Sequence, residues 1–374
     1  MPFMKNSIRV SSPFLLALLL FCTGGSLKAR AQGATSAQRD DVKITLDYES
    51  ARAVLNLFDK KEVPDEELTR VVALPGNQGL IRQGARFDPK ATPDNFKASL
   101  KKIIETGSLE PDTFALTRVK ARLPQVRALL NQIEENPQAL TRSVTERVLN
   151  FAPAGVKVDV KVYFILGGTS DGFAPNDKNF FVALDYFEDD VEGLKLLMAH
   201  ELYHNAQKSA RKGEAQANNA PQNVARSLEL LRNTLDEGTA SVVGDPLEIQ
   251  NAKGYVTWFQ MKYRKNIVRM QTNFALLDSL LYRLYTDPNA DSDKLYNIGF
   301  SGIWESPLYF VGYRMAKVIE KYKGRAAIAT AIGRSPLEFF NLYVEIYKAQ
   351  NDPEIIRFSK STEEILQKLA PQKK

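Results

Sequence analysis

Apolar side chains recur every three or four positions along the first part of the chain, which is the spacing of one buried helix face. Such stripes run through residues 48–58, 96–104, 119–133 and 141–151. Pro93 stands where the second stripe begins, and proline suits the first turn of a helix. The pattern predicts a helical region from residue 42 to about residue 150.

After Gly155, apolar side chains recur at every second position instead of every third or fourth. Valines at 156, 158, 160 and 162 and Phe164 alternate with mostly polar residues, as in a half-buried strand. Residues 180–187 predict a second strand, and the glycine-rich and polar residues 167–177 predict a loop between the two.

The second predicted strand leads into an amphipathic helix at about 191–206. Asp189 and Asp190 precede it, and aspartate is a favoured N-cap. Residues 211–222 are polar and predict a loop. Further helices are predicted at 223–243, 255–270, 274–285, 307–322, 326–332 and 336–348. We therefore expect an α+β fold that is predominantly helical, with a small sheet before the helix at 191–206 and a helical N-terminal region.

Residues 1–31 have the pattern of a cleavable export signal. Lys5 and Arg9 precede an apolar run, and an A-x-A sequence ends at Ala31. The pattern predicts a periplasmic or secreted protein. Without the four cations of this segment the net charge of +6 becomes 6 − 4 = +2, with the remaining charges interspersed, which gives no support for a nucleic-acid partner. The single cysteine, Cys22, lies in the same segment, so we expect no disulfide after cleavage.

The two histidines of the chain stand four positions apart, at His200 and His204, in the predicted helix 191–206. Residues at i and i+4 share a helix face, so both imidazoles can bind one zinc ion. Glu201 would then lie beside the open position of the metal, where a water binds. The metzincin pattern is excluded, because Gln207 and Ala210 stand where it needs glycine and histidine.

A catalytic zinc site needs a third protein ligand. The chain has no other histidine and no cysteine after Cys22, so the ligand must be a carboxylate. Glu237, on the next long predicted helix, is our first candidate, with Asp236 and Glu229 as rivals. The small residues Gly238 and Ala240 would let this helix approach the histidine helix closely.

These residues resemble the gluzincin zinc peptidases, in which H-E-x-x-H is followed by a glutamate ligand on the next helix. The run 198–206 together with Glu237-Gly238-Thr239-Ala240 is most similar to an uncharacterised bacterial family of zinc-dependent peptidases. The resemblance covers roughly residues 180–330. It implies one zinc per chain, held by His200, His204 and Glu237.

Gluzincins also supply a histidine or tyrosine that stabilises the oxyanion of the reaction. With no spare histidine, a tyrosine, an arginine or a backbone amide must do so here. The segment from Pro307 to Gly312 is similar to the tyrosine-bearing segment of the aminopeptidase branch, which implies Tyr309, with Tyr313 next. The chain lacks the amine-anchoring segment of that branch, so exopeptidase activity is not implied.

The resemblance implies a peptidase in which a zinc-bound water gives its proton to Glu201 and attacks a peptide carbonyl. Its partners would be peptide or protein substrates, and the strand at 181–186 would lie along the cleft and pair with them. The predicted segments are a signal at 1–31, a linker at 32–41, the helical region at 42–153 and a zinc-peptidase-like catalytic region at 154–374. The alternatives are a zinc-dependent hydrolase of another amide, a structural zinc site, and a non-catalytic periplasmic helical binding protein.

Overall fold

Four strands form the sheet that precedes the histidine helix in a computed structural model, which describes residues 41–211 and 220–370. The strands are β1 (Val42–Asp47), β2 (Val158–Ile165), β3 (Gly172–Asn176) and β4 (Asn179–Ala183). Their order across the sheet is β1-β2-β4-β3. β2 is parallel to both β1 and β4, whereas β3 is antiparallel to β4 and forms one edge.

β1 corrects the prediction that the chain is helical from residue 42 onward. Val42, Ile44 and Leu46 are half-buried against the core, whereas Lys43 and Thr45, which alternate with them, are exposed, as in a strand with one buried face. The register runs from Val42 opposite Val158 to residue 47 opposite residue 163. The first described element therefore pairs with a strand more than a hundred residues later.

Helices make up most of the remaining structure, and the predicted class, α+β and predominantly helical, is confirmed. The helices are α1 (Glu49–Leu57), α2 (Asp65–Val72), α3 (Pro75–Gly84), α4 (Pro93–Thr106), α5 (Leu116–Ala121), α6 (Leu123–Glu135), α7 (Pro137–Leu149), α8 (Val191–Ala210), α9 (Gln222–Val243), α10 (Gly254–Val268), α11 (Met270–Thr286), α12 (Ser292–Phe300), α13 (Pro307–Lys323), α14 (Arg325–Ile332), α15 (Pro336–Ala349) and α16 (Lys360–Leu369).

No individual helix was predicted at α2, α3 or α12, although α2 and α3 lie within the region predicted to be helical. α16 lies in the tail from residue 353, which ends in a short amphipathic stretch. Glycine is unfavourable inside a helix, yet each glycine of α3 lies where a side chain would not fit. A Cβ on Gly76 would stand 2.5 Å from the Ser50 hydroxyl oxygen, and one on Gly79 would stand 2.1 Å from the Phe181 ring. Close packing against α1 and β4 therefore requires glycine in this helix. The stripe predicted at 119–133 is divided between α5 and α6 at Arg122.

The predicted strand 180–187 is shorter in the structure. β4 ends at Ala183, and Leu184–Tyr186 forms a 3-10 turn. The fully buried carboxylate of Asp185 holds this turn, because it accepts hydrogen bonds from the Arg118 Nε (2.6 Å) and from the backbone N–H of Gly167 (2.8 Å). The predicted loop 167–177 contains β3.

The position of β4 corrects the expectation that residues 181–186 pair with a substrate. β4 lies between β2 and β3, so both of its backbone edges already pair within the sheet. The edge of the sheet beyond β4 belongs to β3. Pro175, whose nitrogen cannot donate, is compatible with such an edge strand.

Glycines set the distances between the helices that carry the site. A Cβ on Gly238 of α9 would lie 2.2 Å from the carbonyl carbon of Gly312, so Gly238 brings α9 against α13 and not against α8 as predicted. The close approach to α8 is instead made by Gly244, where a Cβ would lie 2.9 Å from the Leu196 carbonyl oxygen and 3.1 Å from the His200 Cβ.

The described residues, 41–211 and 220–370, group into one compact unit, and the division predicted at residue 154 stays a prediction. Within the described ranges, no helix combines the length and the apolar character needed to cross a membrane. The predicted signal, nearly all of the predicted linker and the centre of the predicted loop 211–222 lie outside the described residues.

Candidate metal centre

The N-terminus of α8 is fixed by the predicted cap. Asp190 is almost fully buried, and its Oδ1 accepts from the N–H of Gly193 at 3.1 Å. Its Oδ2 accepts from the N–H of Val256 at 2.9 Å, which ties the start of α10 to the start of α8. One side chain therefore orients the histidine helix and the helix beside it.

The side chains of His200, His204 and Glu237 converge between α8 and α9. The Glu237 Oε2 lies 3.5 Å from the His200 Nε2 and 3.4 Å from the His204 Nε2. One ligand atom from each residue lies within 4.8 Å of the others. Of the rival carboxylates, Asp236 binds the Arg211 Nη1 at 2.7 Å, and neither it nor Glu229 belongs to this group of three.

The spacing of this group fits a shared metal ion. Two ligands at 2.0–2.2 Å from a tetrahedral zinc stand about 3.4 Å apart, whereas a charge-assisted N–H···O bond is about 2.7–2.9 Å long. The Glu237 Oε2 is also buried and has no hydrogen-bond partner in the described structure. A buried carboxylate oxygen is costly without a partner, and a cation placed between these three atoms would supply one.

Electrostatics couple the carboxylate to the imidazoles. Burial alone would lower the pKa of His204, but the adjacent Glu237, with Glu201 and Gln207, raises it to about 10. Burial alone would raise the pKa of Glu237, but the two histidines hold it well below its usual range. These shifts favour a protonated His204 beside an ionised Glu237, and a metal ion bound at His204 would take the place of that proton.

Glu201 lies between the two histidines on α8, half-buried beside the group of three. Its burial raises its pKa, the two imidazoles oppose that rise, and the carboxylates of Glu237 and Asp171 add to it. A carboxylate with a raised pKa is a stronger base, and it accepts a proton more readily near neutral pH.

Tyr309 lies in the first turn of α13, and its ring is parallel to that of His200 with the centroids 6.2 Å apart. Burial and the nearby Glu237 and Glu201 carboxylates raise its pKa well above the usual value, so the hydroxyl keeps its proton. The rival, Tyr313, points elsewhere, because its hydroxyl donates to the Asp245 Oδ2 at 2.7 Å.

Gln207 fixes the orientation of His204. Its Nε2 donates to the Asp236 carbonyl and to the Thr239 Oγ1, both at 2.8 Å. Thr239 can only accept there, because its own hydroxyl donates to the Leu235 carbonyl at 2.8 Å. The amide oxygen must therefore face the His204 Nδ1, 2.9 Å away. It accepts a hydrogen bond from the Nδ1–H, which keeps the proton on Nδ1 and leaves the Nε2 lone pair free for a metal.

This contact predicts that Gln207→Ala lowers the affinity for zinc by about 10–100-fold, the usual effect of losing such an outer partner. Competition with a chelating dye measures the affinity directly. The exposed Gln222, on α9, provides the control, because Gln222→Ala changes no contact of the centre. Equal zinc affinity in wild type and in folded Gln207→Ala would refute the role of Gln207.

Sequence reasoning did not identify the residues that α10 and the loop before β3 add beside the centre. The Tyr255 hydroxyl donates to the Asp171 Oδ2 at 2.6 Å. Lys262, on α10, makes no ion pair with the described residues. Burial lowers its pKa, and the charges of Asp171, Glu305 and Glu237 oppose that fall. No local motif marks these positions, since they meet only in the fold.

A family model described as "Putative zinc dependent peptidase (DUF5700)" matches residues 68–352 of the chain. The match covers more than half of the 374 residues and includes the histidine helix, Glu237 and Tyr309. No curated protein and no solved structure matches the chain.

Proposed function

The chain belongs to the DUF5700 family, and we propose that it is a zinc-dependent peptidase that uses Glu201 as its general base. The observation that carries the proposal is the convergence of His200, His204 and Glu237, with Glu201 beside them. The proposed metal ligands are these two histidines and Glu237, one ion per chain.

A bound zinc ion would supply a water of lowered pKa and polarise the scissile carbonyl. Glu201 would accept the proton of the attacking water, for which its raised pKa is suited. It would then return that proton to the leaving amine.

We assign the oxyanion role to Tyr309. Its hydroxyl stays protonated because of burial and the neighbouring carboxylates, so it can donate a hydrogen bond to the negative oxygen that develops during attack. Its ring is parallel to that of His200 at a centroid distance of 6.2 Å, which supports a role at the metal centre.

We further propose that β3 binds the substrate backbone. β3 is an edge strand, and a Cβ on its first residue, Gly172, would stand 3.1 Å from the Leu197 side chain, one helical turn before Glu201. An extended peptide added to this edge would run past the general base. Such pairing uses the peptide backbone and therefore accepts many side chains.

The pattern of residues 1–31 supports action outside the cytoplasm. That segment has the basic, apolar and small-residue regions of an export signal, and the chain has no cysteine beyond Cys22. Export is thus part of the proposed function.

Hydrolysis of an unstructured polypeptide by the zinc-loaded protein and by Tyr309→Phe tests the proposal. We expect wild type to cleave it, and Tyr309→Phe to lose about 10²–10³-fold in kcat with little change in KM, because a donor to the oxyanion acts in the transition state. Tyr296→Phe is the matched control, since Tyr296 lies near the centre but is 45% exposed.

The result for wild type tests the peptidase proposal, and the comparison with Tyr309→Phe tests the role of the tyrosine. No cleavage by zinc-loaded wild type would contradict the peptidase proposal and favour a structural zinc or another amide substrate. Cleavage with an unchanged kcat in Tyr309→Phe would contradict only the role of the tyrosine.

A further inference from the structure

Exposed large apolar side chains concentrate on one surface of the molecule. Of nine in the described residues, six lie on α10 and on the 3-10 turn before α13. One of the six, Ile267, follows Trp258 by nine positions and so lies on the opposite side of α10. We call the other five the tryptophan surface: Trp258 (51% exposed), Met261 (58%), Val268 (88%), Ile303 (88%) and Trp304 (58%). Both tryptophans of the chain belong to it.

The two parts of the tryptophan surface are joined by ion pairs. Glu305, next to Trp304, pairs with Lys265 and, at 2.7 Å, with Arg269. Lys265 follows Trp258 by seven positions and precedes Val268 by three, so these side chains share one side of α10. The apolar turn therefore lies beside the apolar side of the helix.

Cations surround these apolar side chains. Apart from Lys262, which lies beside the metal centre, α10 and the residue that follows it carry Arg264, Lys265 and Arg269 and no acid. The acid that the turn brings to them is Glu305, which is already paired twice. Three cations against one acid leave the surface positive.

We infer that the tryptophan surface binds the anionic headgroups and outer acyl region of a lipid membrane. Tryptophan favours the membrane interface, apolar side chains gain by entering it, and lysine and arginine are attracted to anionic headgroups. The side chains of Ile303 and Val268 are each 88% exposed. A fluid lipid surface can accommodate such protruding side chains without a complementary pocket, whereas a rigid protein partner would need one.

Membrane contact at this surface would lie close to the candidate metal centre. The turn that carries Ile303 and Trp304 leads directly into α13, whose first turn carries Tyr309. Trp258 packs on Tyr255, which binds Asp171 next to Glu201. The inference needs neither zinc nor peptidase activity, so it stands or falls separately from the proposed function.

Intrinsic fluorescence tests the inference, because both tryptophans report on the surface itself. The purified protein is titrated with vesicles of phosphatidylglycerol and, separately, of phosphatidylcholine. We expect a blue shift with phosphatidylglycerol that weakens with added salt, quenching by brominated acyl chains, and little change with phosphatidylcholine.

The double variant Val268→Ser with Ile303→Ser keeps both reporters and is expected to lose at least about tenfold in vesicle affinity. Phe87→Ser is the matched control, since Phe87 is 74% exposed but lies outside the tryptophan surface, and it should bind as wild type does. No shift with phosphatidylglycerol at low salt would overturn the inference. So would equal binding to phosphatidylcholine, or a blue shift that depends on protein concentration without vesicles and shows self-association.

Discussion

Replacement of Glu201 by glutamine is expected to lower kcat for peptide hydrolysis by about 10²–10⁴-fold while the zinc content stays unchanged. Glutamine has nearly the same shape but cannot take a proton from water. Glu201 is not among the three groups that converge as proposed ligands, so the metal should remain. Steady-state kinetics on an unstructured polypeptide, with metal analysis of the same sample, measures both quantities.

Glu192→Gln provides the control on the same helix. Glu192 lies in the first turn of α8, where it pairs with Lys195 at 2.6 Å and lies away from the two histidines. We expect its kcat to match that of wild type. A Glu201→Gln protein that keeps wild-type kcat would show that another group, or no protein group, takes the proton.

Loss of the Glu237 carboxylate should have the largest effect on metal binding. Removing an outer partner of a ligand already costs about 10–100-fold in affinity, so replacing a ligand by alanine should cost more than about 100-fold. Glu237 also raises the pKa of His204, whose burial alone would lower it, so its removal should lower that pKa. We expect Glu237→Ala to lose zinc on dialysis and to lose activity with it.

Asp236→Asn is the matched control, because Asp236 precedes Glu237 on α9 but pairs with Arg211. It should keep one zinc per chain. If Asp236→Asn lost zinc while Glu237→Ala kept it, the carboxylate ligand would have been assigned to the wrong residue.

Elements whose signal is local were predictable from the sequence. The alternation of β2 and the helical stripes of α1, α4 and α9 depend on near neighbours, and so does the cap at Asp190. The convergence of His200 and His204 follows from helix geometry alone. The choice of Glu237 required the further step that no histidine or cysteine was left, and the structure brings it to the two imidazoles.

Features that depend on distant contacts were not predictable. β3 is short and mostly exposed, so it has no apolar period, and it forms only because β4 offers an edge. Position 238 requires glycine because α13 packs against it. The sequence of α9 alone does not indicate that α13 is the helix in contact. The role of Gln207 in orienting His204 depends on hydrogen bonds to a backbone carbonyl and a hydroxyl on α9, which the sequence around Gln207 does not indicate.

Zinc K-edge X-ray absorption of the zinc-loaded protein tests the central claim most directly. We predict one zinc per chain with two imidazole nitrogens and carboxylate oxygen at about 2.0–2.2 Å, and a spectrum that changes in Glu237→Ala. A folded protein that binds no zinc, or a bound zinc without two imidazole ligands, would contradict the assignment of His200, His204 and Glu237 as a metal centre.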